Sequence, residues 1–216
     1  MRILMRTDIS ELTVAGEQTC ECSIHPLLAQ RRSWKAFSPR IIEPETFALL
    51  FEAARWAPSC MNEQPWSFIV ATKQNPPEFE CLLGCLHEFN GRWAQHAAAL
   101  LLSVARLTFT SNAEPNRHAL HDVGQAIANL TFQASACGLM VCQMAGFDVE
   151  RSRQTFSVPS SHEPVAMAAI GYPGDVDSLP KKLGQKMLAP RQRKLAEKFV
   201  FEGTWGQPVA WNGERT

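Results

Sequence analysis

Arg31, Arg32, Ser33 and Lys35 fall within five positions of one another, in the run Arg31-Arg32-Ser33-Trp34-Lys35-Ala36-Phe37. Two guanidinium groups, an ammonium and a hydroxyl this close together suit a phosphate monoester, because guanidinium groups grip phosphate oxygens two at a time. Further along lies Ala57-Pro58-Ser59-Cys60-Met61-Asn62-Glu63-Gln64-Pro65-Trp66, a polar turn closed by Pro65 and feeding an expected strand. A basic cluster by itself is commonly solvated surface. The two runs in this order point instead to a site for an anionic, flat cofactor.

Competing chemistries find less support. No Gly-x-Gly-x-x-Gly follows an expected strand and no phosphate loop ends in Gly-Lys-Ser/Thr, which removes Rossmann and nucleotide triphosphatase readings. No Gly-x-Ser-x-Gly elbow is present, and nothing orders Cys60 against one of the six histidines as a thiol nucleophile. Gly171-Tyr172-Pro173-Gly174 reads as a turn after a strand rather than a ligand loop. The seven cysteines are odd in number and scattered. Cys20/Cys22, Cys81/Cys85 and Cys137/Cys142 lack paired Cys-x-x-Cys knuckles, and His118/His121 has no second cluster at ligand spacing, so no metal site is expected. A reducing cytoplasm fits this cysteine usage.

Lys plus Arg equals Asp plus Glu at 21 each, so no net field draws a polyanion and a nucleic-acid role is disfavoured. With 45% hydrophobic and 19% charged residues the chain can bury a substantial core. Its longest apolar run, Ala97 to Leu102, is far too short for a membrane span. Met1 to Ser10 has no apolar stretch of signal-peptide length, and residues 1–22 match neither helical nor strand periodicity. They read as an N-terminal extension to one domain over 23–216.

The elements that must position these residues follow from periodicity and punctuation. Ile24 to Gln30 reads as a short helix delivering the basic turn, which Pro39 keeps from continuing as helix. Pro44 suits a first helical position, and Phe47, Leu50, Phe51 and Ala54 recur at helical spacing, giving an amphipathic helix over 44–56 that ends before Pro58. Trp66 to Thr72 is strand-like, Pro76-Pro77 opens a helix to about Phe89, and Ala98 to Ala105 is a strand covered on both faces. The longest helix spans His118 to Cys137, with Val123, Ile127, Leu130, Ala134 and Cys137 as its apolar stripe and Gly138 as its stop. Leu139 to Met144 is a strand, Asp148 caps a helix over 149–156, and Val165 to Gly171 is a further buried strand. Helices alternating with four or five strands predict an α+β fold of mixed α/β layers.

Taken in order, these motifs resemble the FMN-dependent nitroreductase-like flavoproteins, over about residues 24 to 206. Arg31-Arg32-Ser33-Trp34-Lys35-Ala36-Phe37 looks like that family's opening motif, whose Arg and Ser hold the FMN phosphate and whose later basic residue reaches the flavin. Ala57 to Trp66 looks like its Pro-Ser-x-x-Asn-x-Gln-Pro-Trp segment, which reaches the flavin bound mainly by the other subunit and places Pro58, Ser59 and Cys60 there. Phe89-Asn90-Gly91-Arg92 resembles the place where an Asn meets the pyrimidine edge. Met144-Ala145-Gly146-Phe147-Asp148 looks like the Gly-Phe-Asp loop over the ring, and Arg191-Gln192-Arg193 like the basic pair completing the phosphate site. The chain departs from some members at Ala145, where they carry Glu, and at Trp93, where they carry Lys. Both departures bear on substrate choice.

The resemblance implies a homodimer with a central, mostly antiparallel sheet flanked by helices. It implies FMN as cofactor and NADH or NADPH as electron donor to a small electron-poor acceptor, in a ping-pong cycle with no side-chain nucleophile. Arg31, Arg32, Ser33, Arg191 and Arg193 would converge on the phosphate, and Lys35 would lie near N1 and the C2 carbonyl, tuning the flavin electrostatically. Asn62 and Gln64 would brace their loop, and Asp122 would serve helix capping or the subunit contact. Alternatives within the same reading are a dehalogenase or dehydrogenase of a dedicated metabolite, or a module that binds flavin without turnover.

Overall fold

In the computed structural model, residues 24–209 are described; the segment 1–22, expected as an extension, lies outside them. The elements in chain order are α1 (Pro26–Gln30), α2 (Pro44–Arg55), β1 (Trp66–Thr72), α3 (Pro76–Leu83), α4 (Glu88–Ala94), β2 (Ala99–Arg106), α5 (Ala119–Ala136), β3 (Met140–Met144), α6 (Val149–Thr155), β4 (His162–Gly171) and α7 (Lys181–Leu188). The four strands form one sheet in the order β1-β2-β4-β3, antiparallel throughout, with Ile69 opposite Leu102, Leu102 opposite Met167 and Cys142 opposite Ala169.

The alternation of side chains along a strand divides the core in two. Leu100, Leu102, Met167, Ala169, Cys142 and Met144 face Phe79, Leu82, Trp93 and Ala94 of α3 and α4. Ala99, Leu101, Ala168, Ile170 and Val141 face Leu50 and Ala54 of α2 and Ala126, Ile127, Leu130 and Ala134 of α5. Because β2 is covered on both faces, it reads as an unbroken apolar run, and each fully buried leucine there is worth about 1.5–3 kcal/mol. The fold is thus an α+β arrangement of helices on both sides of a four-stranded antiparallel sheet. No helix among the described residues is long and apolar enough to cross a membrane.

Three differences from the sequence reading have local causes. β4 begins at His162 rather than Val165, and it tolerates Pro164 because the register shifts at Ser103/Val104, beside it. The single helix expected from Pro76 to about Phe89 is two. Between them the chain pairs with a distant loop: Leu86 bridges Phe147, Asp148 N donates to the Cys85 carbonyl at 2.8 Å, and His87 N donates to the Gly146 carbonyl at 3.1 Å. Finally, α7 was not anticipated. Its Leu183 and Met187 repeat at helical spacing, but Gly184 interrupts the pattern.

The basic turn is held by a backbone clasp. Phe37 bridges Pro173, Ser38 N donates to the Tyr172 carbonyl at 3.0 Å, and Gly174 N donates to the Ala36 carbonyl at 2.8 Å. The approach is so close that a β-carbon on Gly174 would lie 2.4 Å from the Phe37 carbonyl carbon. The Gly171–Gly174 turn is therefore a structural anchor for the segment carrying Lys35.

Candidate functional site

Arg31, Arg32, Ser33, Lys35, Arg191 and Arg193 line one cavity of about 260 Å³, together with Lys186, Leu183 and Met187 of α7 and Ala189. Six cationic side chains meet there, and among the described residues no carboxylate lines it. The like charges act on one another. Burial and the neighbouring Arg193 lower the pKa of Arg31, and burial followed by Arg32, Arg31 and Arg193 lowers that of Arg191. Such a cradle is complementary to a multiply charged anion, which would remove the repulsion and supply oxygens for charge-assisted bonds.

The arginines divide their work. Arg32, buried, donates from Nη1 to the Met187 carbonyl at 2.7 Å, which fastens α7 over the cavity. Arg191 donates through Nη1 to the Arg31 carbonyl and through Nη2 to that of Ala29, tying the tail to the end of α1. Lys186 escaped the sequence reading along with its helix. The Leu183/Met187 pair at helical spacing was the available signal.

Lys35 connects this cavity to α4. Its ammonium stands 5.4 Å from the Phe89 ring centroid and 5.3 Å from that of Trp93. Trp93 itself is 2% exposed and stacks on Phe37 at 6.3 Å, so it belongs to the core rather than to an open substrate surface. Beneath lies Cys142, whose thiol burial pushes up to about 11, an effect only partly offset by Lys35 and Arg31. A thiol so held stays protonated at neutral pH and is a poor nucleophile.

Asn90 and Gly146 meet beside this region. Asn90 is the third residue of α4, and its Nδ2 donates to the Gly146 carbonyl at 3.1 Å. A β-carbon on Gly146 would fall 2.8 Å from that Nδ2, so only glycine admits the pairing undisturbed. One amide N–H is thereby committed, leaving the carbonyl oxygen and the second N–H for a ligand. Met144 is buried against the core, while Ala145 is exposed and Gly146 partly so. The break between α3 and α4 is what brings these two segments together.

Pro58, Ser59 and Cys60 do not line the basic cavity. They lead into a short 3-10 turn, Cys60–Asn62, beside α5. Met61, Asn62 and Gln64 have φ of 52°, 56° and 49°. For Met61 and Gln64 this left-handed backbone costs roughly 1–2 kcal/mol each. Several bonds compensate. Gln64 N donates to Ser59 Oγ at 3.0 Å and Gln64 Nε2 to the Asn62 carbonyl at 3.2 Å, the bracing expected of these residues. Glu63 accepts from Thr110 N at 2.7 Å and also from the Thr110 hydroxyl and Arg106, contacts that hold its carboxyl below the usual range, Thr110 foremost. Among the described residues no histidine hydrogen-bonds the Cys60 thiol, so no thiol–imidazole dyad forms.

Known proteins resemble this chain in sequence and in fold. The family model described as the nitroreductase family matches residues 28–172. An uncharacterised 15.4 kDa protein of Mycolicibacterium smegmatis is 37% identical over 131 residues, spanning 61% of this chain and 86% of that protein. A protein of Archaeoglobus fulgidus, named provisionally as an NADH dehydrogenase/NAD(P)H nitroreductase, is 26% identical over 154 residues, 69% of this chain and 84% of its own. The solved structure of an oxidoreductase containing FMN superimposes with a TM-score of 0.84 at 28% identity, covering 91% of this chain and all of the other.

Proposed function

Because the chain belongs to the nitroreductase family, we propose that it is an FMN-dependent oxidoreductase carrying hydride from NADH or NADPH to a small electron-poor acceptor, such as a nitroaromatic or a quinone. The observation that carries this reading is the cavity on which six cationic side chains converge. Arg31, Ser33, Lys186 and Arg193 are the groups suited to a terminal phosphate, while Arg32 and Arg191 hold the cavity's walls as well as adding charge. FMN, when bound, supplies two-electron hydride chemistry between a nicotinamide and the acceptor.

The chain's own residues bind, orient and polarise. Lys35 lies on the α4 side of the phosphate cradle, where an ammonium favours added electron density on a neighbouring ring. Asn90, held by Gly146, offers a donor and an acceptor to a polar ring edge. No side chain acts as nucleophile, in keeping with the protonated, buried Cys142.

The Pro58–Cys60 turn lies apart from its own chain's cavity, which supports a homodimer in which each turn closes the partner's site. The exposure of Trp56 (73%) and Met61 (83%) next to that turn supports the same arrangement, since large apolar side chains so placed gain from being covered. The cytoplasm is the compartment proposed for this assembly.

A spectrum after incubation with FMN, followed by titration with NADH and NADPH and then with a quinone, tests the reading at each step. Retained yellow colour, bleaching by one or both nicotinamides and recovery on adding the acceptor are expected. Protein that stays colourless overturns the proposal, and colour without bleaching reduces it to a flavin-binding module. Two substitutions refine it. Lys35→Ala is expected to lower the flavin potential by about 30–60 mV, the equivalent of one charge-assisted contact for a two-electron couple, as read by potentiometric titration. Gly146→Ala pushes against a side-chain amide that can rotate, so thermal stability should hardly change while FMN affinity falls about tenfold, one hydrogen bond's worth.

A further inference from the structure

α5 directs three polar side chains at the backbone running from the end of α2 to the start of the 3-10 turn. Asp122, only 2% exposed, accepts a hydrogen bond at Oδ2 from the backbone N–H of Cys60 at 3.0 Å. Gln125 Nε2 donates to the Pro58 carbonyl at 3.4 Å, and Asn129 Nδ2 donates to the Ala53 carbonyl at 3.2 Å. Positions 122, 125 and 129 share one helix face. Asp122 is the fourth residue of α5, where the positive end of the helix favours a buried carboxylate.

Helix capping does not account for this carboxylate, because the N–H that donates to its Oδ2 lies 62 positions away, on the turn with the left-handed residues. Strained backbone of that kind persists where its surroundings over-determine it, and it marks segments whose shape matters to function. We infer that Asp122 is a positioning residue: it fixes the backbone at Cys60 and so sets the Pro58–Ser59–Cys60 edge against the cofactor site of the second subunit. This rests on the dimeric FMN reading above. Gln125 and Asn129 hold the preceding chain, and Asp122 determines where the turn itself points.

The test compares full-length wild type, Asp122→Ala and Asp122→Asn in two measurements: equilibrium titration with FMN, and hydrogen exchange of the Ser59–Glu63 backbone in FMN-free protein. Asparagine keeps an acceptor oxygen toward Cys60 N and alanine removes it. Asp122→Ala is expected to bind FMN about 10- to 100-fold more weakly and to exchange faster over the turn, whereas Asp122→Asn stays within about threefold of wild type. FMN affinity unchanged in Asp122→Ala, or equally reduced in both variants, overturns the inference. Wild type that takes up no FMN sinks the proposed function instead, and the exchange comparison then decides alone whether Asp122 fixes the turn. Should Asp122→Ala not fold, Cys60→Pro against Cys60→Ala removes the donor from the other side. Cys60 opens the 3-10 turn and Ser59 before it is extended at φ −147°, ψ 155°, a backbone that accepts proline next. The proline variant should bind FMN about 10- to 100-fold more weakly than the alanine variant, and equal affinities reject the role.

Discussion

Replacing Arg31 and Arg193 together by alanine is expected to weaken FMN binding by about 10²- to 10⁴-fold while leaving the FMN-free protein at least as stable as before. Each charge-assisted contact to a phosphate is worth about 1.5–3 kcal/mol, and 1.4 kcal/mol is a factor of ten. The opposite sign for the free protein comes from the repulsion within the cavity, where burial and Arg193 together lower the pKa of Arg31. Removing both relieves a cost that the folded chain otherwise carries until an anion arrives. Titration with FMN and thermal unfolding without it check the two halves separately. A pair of alanines that destabilised the free protein and left FMN affinity alone would make these arginines scaffold rather than ligand.

The second large effect lies outside the cavity. Gly174→Ala is expected to lower stability by about 3 kcal/mol, at the upper end of overpacking costs, and hence the midpoint of thermal unfolding by about 6–12 °C. The new β-carbon would sit 2.4 Å from the Phe37 carbonyl carbon, 2.6 Å from its oxygen and 2.7 Å from Ser38 N. All three are backbone atoms of the segment that follows Lys35, so relief requires that segment to move. FMN affinity should fall with stability, and a calorimetric scan together with a titration would register both. Unaltered unfolding would mean that the clasp between Ala36–Ser38 and Tyr172–Gly174 is looser than its hydrogen bonds indicate.

The parts of the fold legible in the sequence are those whose signal is local. β2 announces itself because burial on both faces leaves an unbroken apolar run, and α5 because Val123, Ile127, Leu130 and Ala134 fall on one stripe. The break between α3 and α4 was not legible, since its cause is pairing with Phe147 and Asp148, some sixty residues downstream. α7 was hidden by Gly184, and Lys186 with it. Within the candidate site, residue types and order singled out five of the six cations that line the cavity, because the basic turn and the Arg191–Arg193 pair are themselves distinctive. How each guanidinium is employed was beyond reach: the bonds from Arg32 to Met187 and from Arg191 to Ala29 depend on carbonyls more than 150 positions distant. Asp122 stayed obscure for the same reason, as nothing near it in the chain points to Cys60.

The basic cavity joins residues 31–35 to residues 183–193, so its two walls leave the ribosome about 150 positions apart. A nascent polypeptide that stops short of Met187 has an open trough rather than a cradle, since neither the Arg32–Met187 nor the Arg191–Ala29 tie can yet close it. Closure of the cradle must therefore wait until residue 193 has been made, after the central sheet has all of its strands.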